Sequence, residues 1–389
     1  MKKLLAVLLA SFLIGQLSAQ YGQYIIKLKD KGQSSFQLSK PEAFLSQRSI
    51  DRRTRYKIPL DSTDLPLSVS YLDAIRRVPN VTIKNSSKWL NQVLISTKDP
   101  AAIAQLNALP FVKGLAPVAM QAKPMDRLPL NQKFEEPIGY KNNNSLLSRA
   151  NNQYNLNETG AVANTAVFNY GTSYDQIHFH QGEYLHDKGF TGNGIIIAIF
   201  DAGYNSYRTN PYFDSVRQQG SILGEWDYVM NEISVNEDHP HGSYCFSIIA
   251  GNKPGAYVGT APHAQFYLLR TEDAATEYPV EEQHWVAAAE FADSAGVDMI
   301  SSSLGYSNFD DTAFNHSYAQ RDGNTAMVTI GADLAARKGM IVCNSAGNSG
   351  GALTDAKYVM CPADGDSVLA IGAVTIRDTI AAFSCFGPN

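Results

Sequence analysis

The chain has 389 residues, of which 44% are hydrophobic and 18% charged, and a formal net charge of −5. That composition excludes disordered, collagen-like and coiled-coil classes and leaves room for two or three domains with proper cores. The acidic balance excludes the strong basic field that nucleic-acid binding needs; Lys and Arg are scattered apart from Arg48, Arg52, Arg53 and Arg55.

Lys2 and Lys3, an apolar run over residues 4–14 and the small residues Ser18 and Ala19 predict a cleavable secretory leader over residues 1–19. The run is too short to span about 30 Å of hydrocarbon, and no later stretch approaches that length, so no membrane span is expected. Residues 20–120 read as a small α+β domain. Apolar alternation over 24–28 predicts a strand, and Leu72, Ile75 and Val78 follow helical spacing up to Pro79. A second strand over 89–97 is followed by Ile103, Leu106 and Leu109, again at helical spacing, then by an extended stretch over 111–118. Residues 121–165 have linker composition, with Pro124, Pro129, Pro137 and the run Asn142, Asn143, Asn144, a plausible place for a protease to cut.

From residue 166 onward the pattern becomes regular βα alternation. Residues 195–200 are continuously apolar between Gly194 and Asp201, as suits a strand covered on both faces. Further strands are predicted over 266–269, 297–301, 340–343 and 368–374, and helices over 283–295 and 325–338, stopped by Gly296 and Gly339. Such alternation predicts an α/β fold of three layers, a parallel sheet between helices, with a site at the carboxyl ends of the strands. Four cysteines, Cys245, Cys343, Cys361 and Cys385, allow either two disulfides or buried free thiols.

Three residues sit where that fold would put chemistry. Asp201 follows the buried strand, His241 opens a small-residue helix before Gly242 and Ser243, and Asn348 follows Ala346 and Gly347 after another strand. Singly they have ordinary uses as a cap, a surface histidine and a turn former. Together, strand–Asp–Ala–Gly, His–Gly–Ser–helix and strand–Ala–Gly–Asn resemble the subtilisin-like serine proteases, the subtilases, whose triad comes in the order Asp, His, Ser. Gly259-Thr260-Ala261-Pro262 resembles the family's G-x-A-P, and Ser303-Leu304-Gly305 its S-L-G cleft wall. Pro362 and Ala363 ahead of 368–374, and Phe383, Ser384, Gly387 and Pro388, are similar to two later motifs.

The resemblance implies a secreted endopeptidase made as a zymogen. Residues 20–120 would be its propeptide, residues 166–389 its incomplete catalytic domain, and proteins or peptides its substrates. Asp201 and His241 would be the acid and base, Asn348 an oxyanion donor, and Ser303, Leu304, Gly305, Ser345, Ala346 and Gly347 the walls flanking the substrate. No cofactor is required; a structural calcium is implied without a motif that locates it.

The family's nucleophile lies in a G-T-S-M-A segment beyond F-S-x-x-G-P. Here Gly171-Thr172-Ser173 precedes Asp201 and lacks a small-residue helix behind it, and Ser349 and Ser384 also lack the context. The nucleophile is therefore expected beyond Asn389. The 389 residues by themselves are expected to be inactive, and poorly stable where the last elements leave apolar sheet surface uncovered. A peptide-binding pseudoprotease shares these motifs and is the alternative reading. Zinc held by His178, His180, His239 and His241, and a phosphate loop at Gly189, Gly192 and Gly194, fit less well. The first lacks a further ligand, and the second precedes its strand instead of following it. Two smaller departures from the family, Ser243-Tyr244 after Gly242 and Ala202 after Asp201, leave the acid and base in place.

Overall fold

A computed structural model describes residues 21–120 and 167–387. The expected leader, the expected linker and Pro388 lie outside the described residues.

The N-terminal domain is a four-stranded antiparallel sheet of order β2-β3-β1-β4. Its strands are β1 (Tyr21–Leu28), β2 (Thr82–Ser87), β3 (Gln92–Ser96) and β4 (Val112–Met120). Its helices are α1 (Gln47–Tyr56), α2 (Val69–Arg76) and α3 (Pro100–Asn107). Alternation in β1 sends Tyr24, Ile26 and Leu28 into a core with Ile75 of α2 and Leu106 of α3. Asp99 caps α3 by accepting from the Ala101 amide at 2.8 Å, with Pro100 in the first turn.

Two of these elements were not expected. β2 is a polar edge strand with no apolar alternation, and the buried positions of α1 are Ser49, Arg52 and Arg53 instead of an apolar stripe. Neither carries the hydrophobic period by which elements are read.

The second domain is built on a six-stranded sheet whose paired strands all run parallel, of order β12-β11-β10-β5-β9-β6. After α4 (Tyr174–Phe179) and α5 (Gly182–Asp187) come β5 (Ile196–Asp201), α6 (Asp214–Gln218) and β6 (Ile222–Asp227). Then follow α7 (His241–Ala250), the small hairpin β7 (Asn252–Lys253) and β8 (Tyr257–Val258), and β9 (Gln265–Arg270). The last elements are α8 (Val280–Ala295), β10 (Met299–Ser302), α9 (Met327–Arg337), β11 (Ile341–Ser345) and β12 (Leu369–Ile371).

β5 is buried along its whole length, as its apolar run implies. Ile196, Ala198 and Phe200 face α8 and α9, where Phe200 meets the edge of Trp285 at 5.2 Å between ring centroids. Ile197 and Ile199 face the other way, into a cluster with Phe213, Val216, Phe246 of α7 and Phe266. One strand thus seeds both layers of core.

From β5 the chain runs to β6 and β9 on one side, then crosses to β10 and onward on the other. The switch point lies between β5 and β10, where their carboxyl ends open a crevice. α8 starts three residues earlier than its apolar spacing suggested and ends at Gly296, whose φ of +85° stops it. β12 is shorter than expected, and Leu369 and Ile371 are exposed on it. All four cysteines are free thiols.

The two domains pack face to face. The outer face of the small sheet, with Ile25, Leu94, Val118 and Ala119, lies against Val280 of α8 and Met327 of α9. Trp89, from the β2–β3 turn, belongs to the core of the larger domain.

Candidate active site

Asp201 ends β5 and is fully buried. Its carboxylate faces Nδ1 of His241, the first residue of α7, at 2.8 and 3.0 Å. A carboxylate can only accept here, so Nδ1 carries the proton, and in the neutral ring Nε2 is the basic nitrogen. Asp201 Oδ1 also accepts from the Ala202 amide at 2.7 Å, a second tether on the carboxylate.

Two glycines allow this approach. Gly203 has φ of +136°, and a Cβ on it would stand 2.4 Å from the Asp238 Cβ. A Cβ on Gly242 would meet the Gly203 carbonyl at 2.4 Å and the Asp201 Cβ at 2.9 Å. The motif glycines are therefore steric necessities of bringing β5 and α7 together.

Burial alone would lower the pKa of His241, but the charge of Asp201 and its hydrogen bond outweigh that and raise it above the ordinary 6.5. The Cys245 thiol, one turn further along α7, lies 3.9 Å from Nδ1 and donates to Ser303 Oγ at 3.3 Å. Burial first, then the Asp201 charge, raise its pKa, so it stays a thiol and makes a poor nucleophile.

Arg270, which sequence reasoning passed over, brackets the pair. It ends β9 in register with Asp201 and is almost fully buried. Its Nε donates to the Ala202 carbonyl at 3.2 Å, and Nη1 reaches Asp227 at 2.7 Å and Asp238 at 2.9 Å. The loop after Asp201 and the loop before His241 are thereby tied to one guanidinium. The signal was present as an arginine closing a buried strand, but nothing local distinguished it.

The expected cleft walls leave the same edge of the sheet. Ser303, Leu304 and Gly305 follow β10, and Ser345, Ala346, Gly347 and Asn348 close and follow β11, its parallel neighbour. Asn344 Nδ2 joins the walls, donating to the Leu304 and Ser345 carbonyls at 2.9 Å each. Met360, also unforeseen, lies between them: its side chain packs against both Gly305 and Gly347, and its amide donates to the Ala346 carbonyl at 3.2 Å. Asn348 is exposed, and the residues on either side of it are tied to Cys385, whose amide donates to the Gly347 carbonyl at 2.9 Å and whose Sγ accepts from the Ser349 amide at 3.3 Å.

Other sequence candidates resolve structurally. Ser173 is buried, and its hydroxyl is hydrogen-bonded to Tyr170 and Val258 backbone atoms, consistent with rejecting it as a nucleophile. Ser384 Oγ is likewise engaged, by the Ala373 amide at 2.9 Å. His178 pairs with Glu183, and among the described residues the four histidines considered for zinc do not form a ligand set.

For the calcium that the resemblance implies, one carboxylate trio stands apart from Asp201 among the described residues: Glu272, Glu277 and Glu281. Glu281 already accepts from the Asp273 and Tyr278 amides, and Glu272 from the Tyr306 hydroxyl. The trio is therefore not assigned a cation.

Comparison with known proteins identifies both halves of the chain. The model of the subtilase family matches residues 192–389, and that of the peptidase S8 propeptide domain of Bacteroidota matches residues 23–137. The chain is 28% identical to subtilisin NAT of Bacillus subtilis subsp. natto, over 52% of its own length and 47% of that protein's. It is 25% identical to a thermophilic serine proteinase of Bacillus sp. (strain AK1), over 84% of this chain and 73% of that one. The chain thus spans about half the length of the subtilisins it matches. Among solved structures, fervidolysin from Fervidobacterium pennivorans, described as a keratinolytic enzyme related to subtilisin, aligns with a TM-score of 0.49 at 15% identity. That alignment covers 88% of this chain and 42% of fervidolysin.

Proposed function

The chain belongs to the subtilase family, and from that premise we propose that it serves as a secreted serine endopeptidase made as a zymogen, with Asp201 and His241 as acid and base of the triad. The observation that carries this reading is the Asp201–His241 hydrogen bond, from a fully buried carboxylate, at the switch point of a parallel sheet.

In this mechanism Nε2 of His241 takes the proton of a serine hydroxyl as the oxygen attacks a peptide carbonyl, and returns it to the leaving amine. Asp201 fixes the tautomer and stabilises the imidazolium that forms. The side-chain amide of Asn348, with a backbone N–H at the serine, receives the tetrahedral oxyanion, a contact of a kind worth about 10²–10³ in rate. Ser303–Gly305 and Ser345–Gly347 would flank an extended substrate strand. No Gly-Thr-Ser follows His241 within the 389 residues, so the nucleophile is assigned to sequence after the Phe383-Ser384 motif, in the family's order. Secretion rests on the leader read in residues 1–19; among the described residues no helix is long and apolar enough to cross a membrane.

The test is to read the gene past the codon for Asn389 and assay the product of the whole frame on an unfolded protein substrate. A Gly-Thr-Ser in frame, with hydrolysis that serine-directed reagents and His241→Ala both abolish, is the expected result. A stop codon at that point, or hydrolysis indifferent to His241→Ala, would overturn it in favour of a peptide-binding pseudoprotease.

A further inference from the structure

The arginine cluster that stood out in the sequence is not used by the chemistry above, and two of its members, Arg52 and Arg53, are turned away from solvent. Arg48, Arg52 and Arg53 lie on α1 and cross to the larger domain, at the edge of the sheet opposite Asp201. Arg52 Nη2 meets Asp293 Oδ1 at 2.5 Å, and Arg53 Nη2 meets Oδ2 of the same carboxylate at 2.7 Å. All three side chains are essentially buried. Asp64, also of the N-terminal domain, accepts from Arg53 at 2.8 Å and from Lys338 Nζ, across the interface, at 3.0 Å. Arg48 pairs with Asp298.

The arginines also fill backbone positions. Arg52 donates to the carbonyls of Val297 and, at 3.1 Å, of Lys338; Arg48 donates to those of Gly296, at 3.0 Å, and Gly194, at 2.7 Å. Those carbonyls stand just ahead of β5, β10 and β11 and at the negative end of α8, where cations are favoured. Each domain presents both signs: Arg against Asp293, and Asp64 against Lys338. A two-sign pattern rejects a slipped docking, because a shift would set like charges together. The charges can also be rehydrated when the faces part, unlike a purely apolar seam.

We infer that this arginine clasp, separate from the cleft, retains the N-terminal domain on the larger domain after the chain between them is cut, and sets how long the severed domain stays bound. The inference rests on the zymogen reading above. Its readout, the release of a fragment, needs no hydrolysis by this chain.

To test it, a recognition sequence for a site-specific protease is inserted between Asn143 and Asn144 of the full chain, the chain is cut, and release of the N-terminal fragment is timed by dilution and gel filtration. Asp293→Asn, or Arg52→Met with Arg53→Met, is expected to speed release by at least about 100-fold, since breaking a buried pair strands its partners. Arg55→Met, an exposed arginine on the same helix, is expected to change nothing. Salt at about 1 M is expected to weaken re-association of the wild-type fragments, a measurement that needs no variant to fold. Near-ultraviolet circular dichroism of the uncut variants checks folding. Immediate separation of the cut wild-type chain would overturn the clasp, as would release unchanged by both variants and by salt. A chain that proved to be no peptidase, yet kept its cut domain through the clasp, would sink only the functional proposal.

Discussion

The two ends of the parallel sheet use charge in opposite ways. At the carboxyl ends of β5, β10 and β11 the buried Asp201 faces the partly exposed ring of His241, and the chain around them is rich in small residues, Ser303, Gly305, Ser345, Ala346 and Gly347. At the amino ends of the same strands, arginines from the other domain occupy the carbonyls and neutralise Asp293. Both ends bury an aspartate. The difference is what faces it: an imidazole that can gain and lose a proton, or guanidiniums that stay charged. One end can therefore take part in proton transfer, whereas the other can only hold.

The sharpest way to break this comparison is at the working end. In the product of the whole frame, Asp201→Asn is expected to lower kcat by on the order of 10⁴ while leaving the fold intact, because the imidazole loses its tautomer and its counter-charge. Steady-state hydrolysis of a peptide substrate checks it; a loss under tenfold would mean the pair is not the catalytic one. At the holding end the effect falls on stability instead. Asp293→Asn leaves the buried Arg52 with no carboxylate and Arg53 with Asp64 alone, and is expected to cost about 3–5 kcal/mol in denaturant unfolding of the intact chain. An unchanged midpoint would contradict the buried network.

Smaller effects sharpen the contrast. Gly242→Ala puts a methyl against the Gly203 carbonyl and the Asp201 Cβ, so it is expected to cost about 1–3 kcal/mol and to lengthen the Asp201–His241 bond. A melt together with the His241 ring proton signal would read both. Arg48→Met should do least at either end: its pair with Asp298 is 40% and 30% exposed, and exposed pairs are worth at most about 1 kcal/mol. A loss as large as that from Asp293→Asn would show that the outer pair carries the clasp.

The working end was legible in the sequence because its residues sit on elements with strong periods. Residues 195–200 announce a strand buried on both faces, so Asp201 had to lie at its end, and α7 begins at the histidine itself. The holding end was not legible. α1 buries Ser49, Arg52 and Arg53, so by apolar spacing it is no helix at all, and the four clustered arginines read only as an anomaly. Their partners Asp293 and Lys338 lie some 240–286 positions away, and only the tertiary fold brings them together. Arg270 and Met360 escaped for the same reason: each acts through contacts between loops far apart in the chain.

The most direct measurement is a titration of His241 in the full chain, with histidine ring nitrogens labelled and followed by NMR, in wild type and in Asp201→Asn. The raised pKa means the pair stabilises the fold fully below about 6.5, and that this contribution is lost as pH rises through the higher, folded value. The prediction is a proton fixed on Nδ1 and a wild-type pKa above 6.5 that drops in Asp201→Asn. An ordinary value, unchanged by the substitution, would contradict Asp201 and His241 as a coupled acid–base pair.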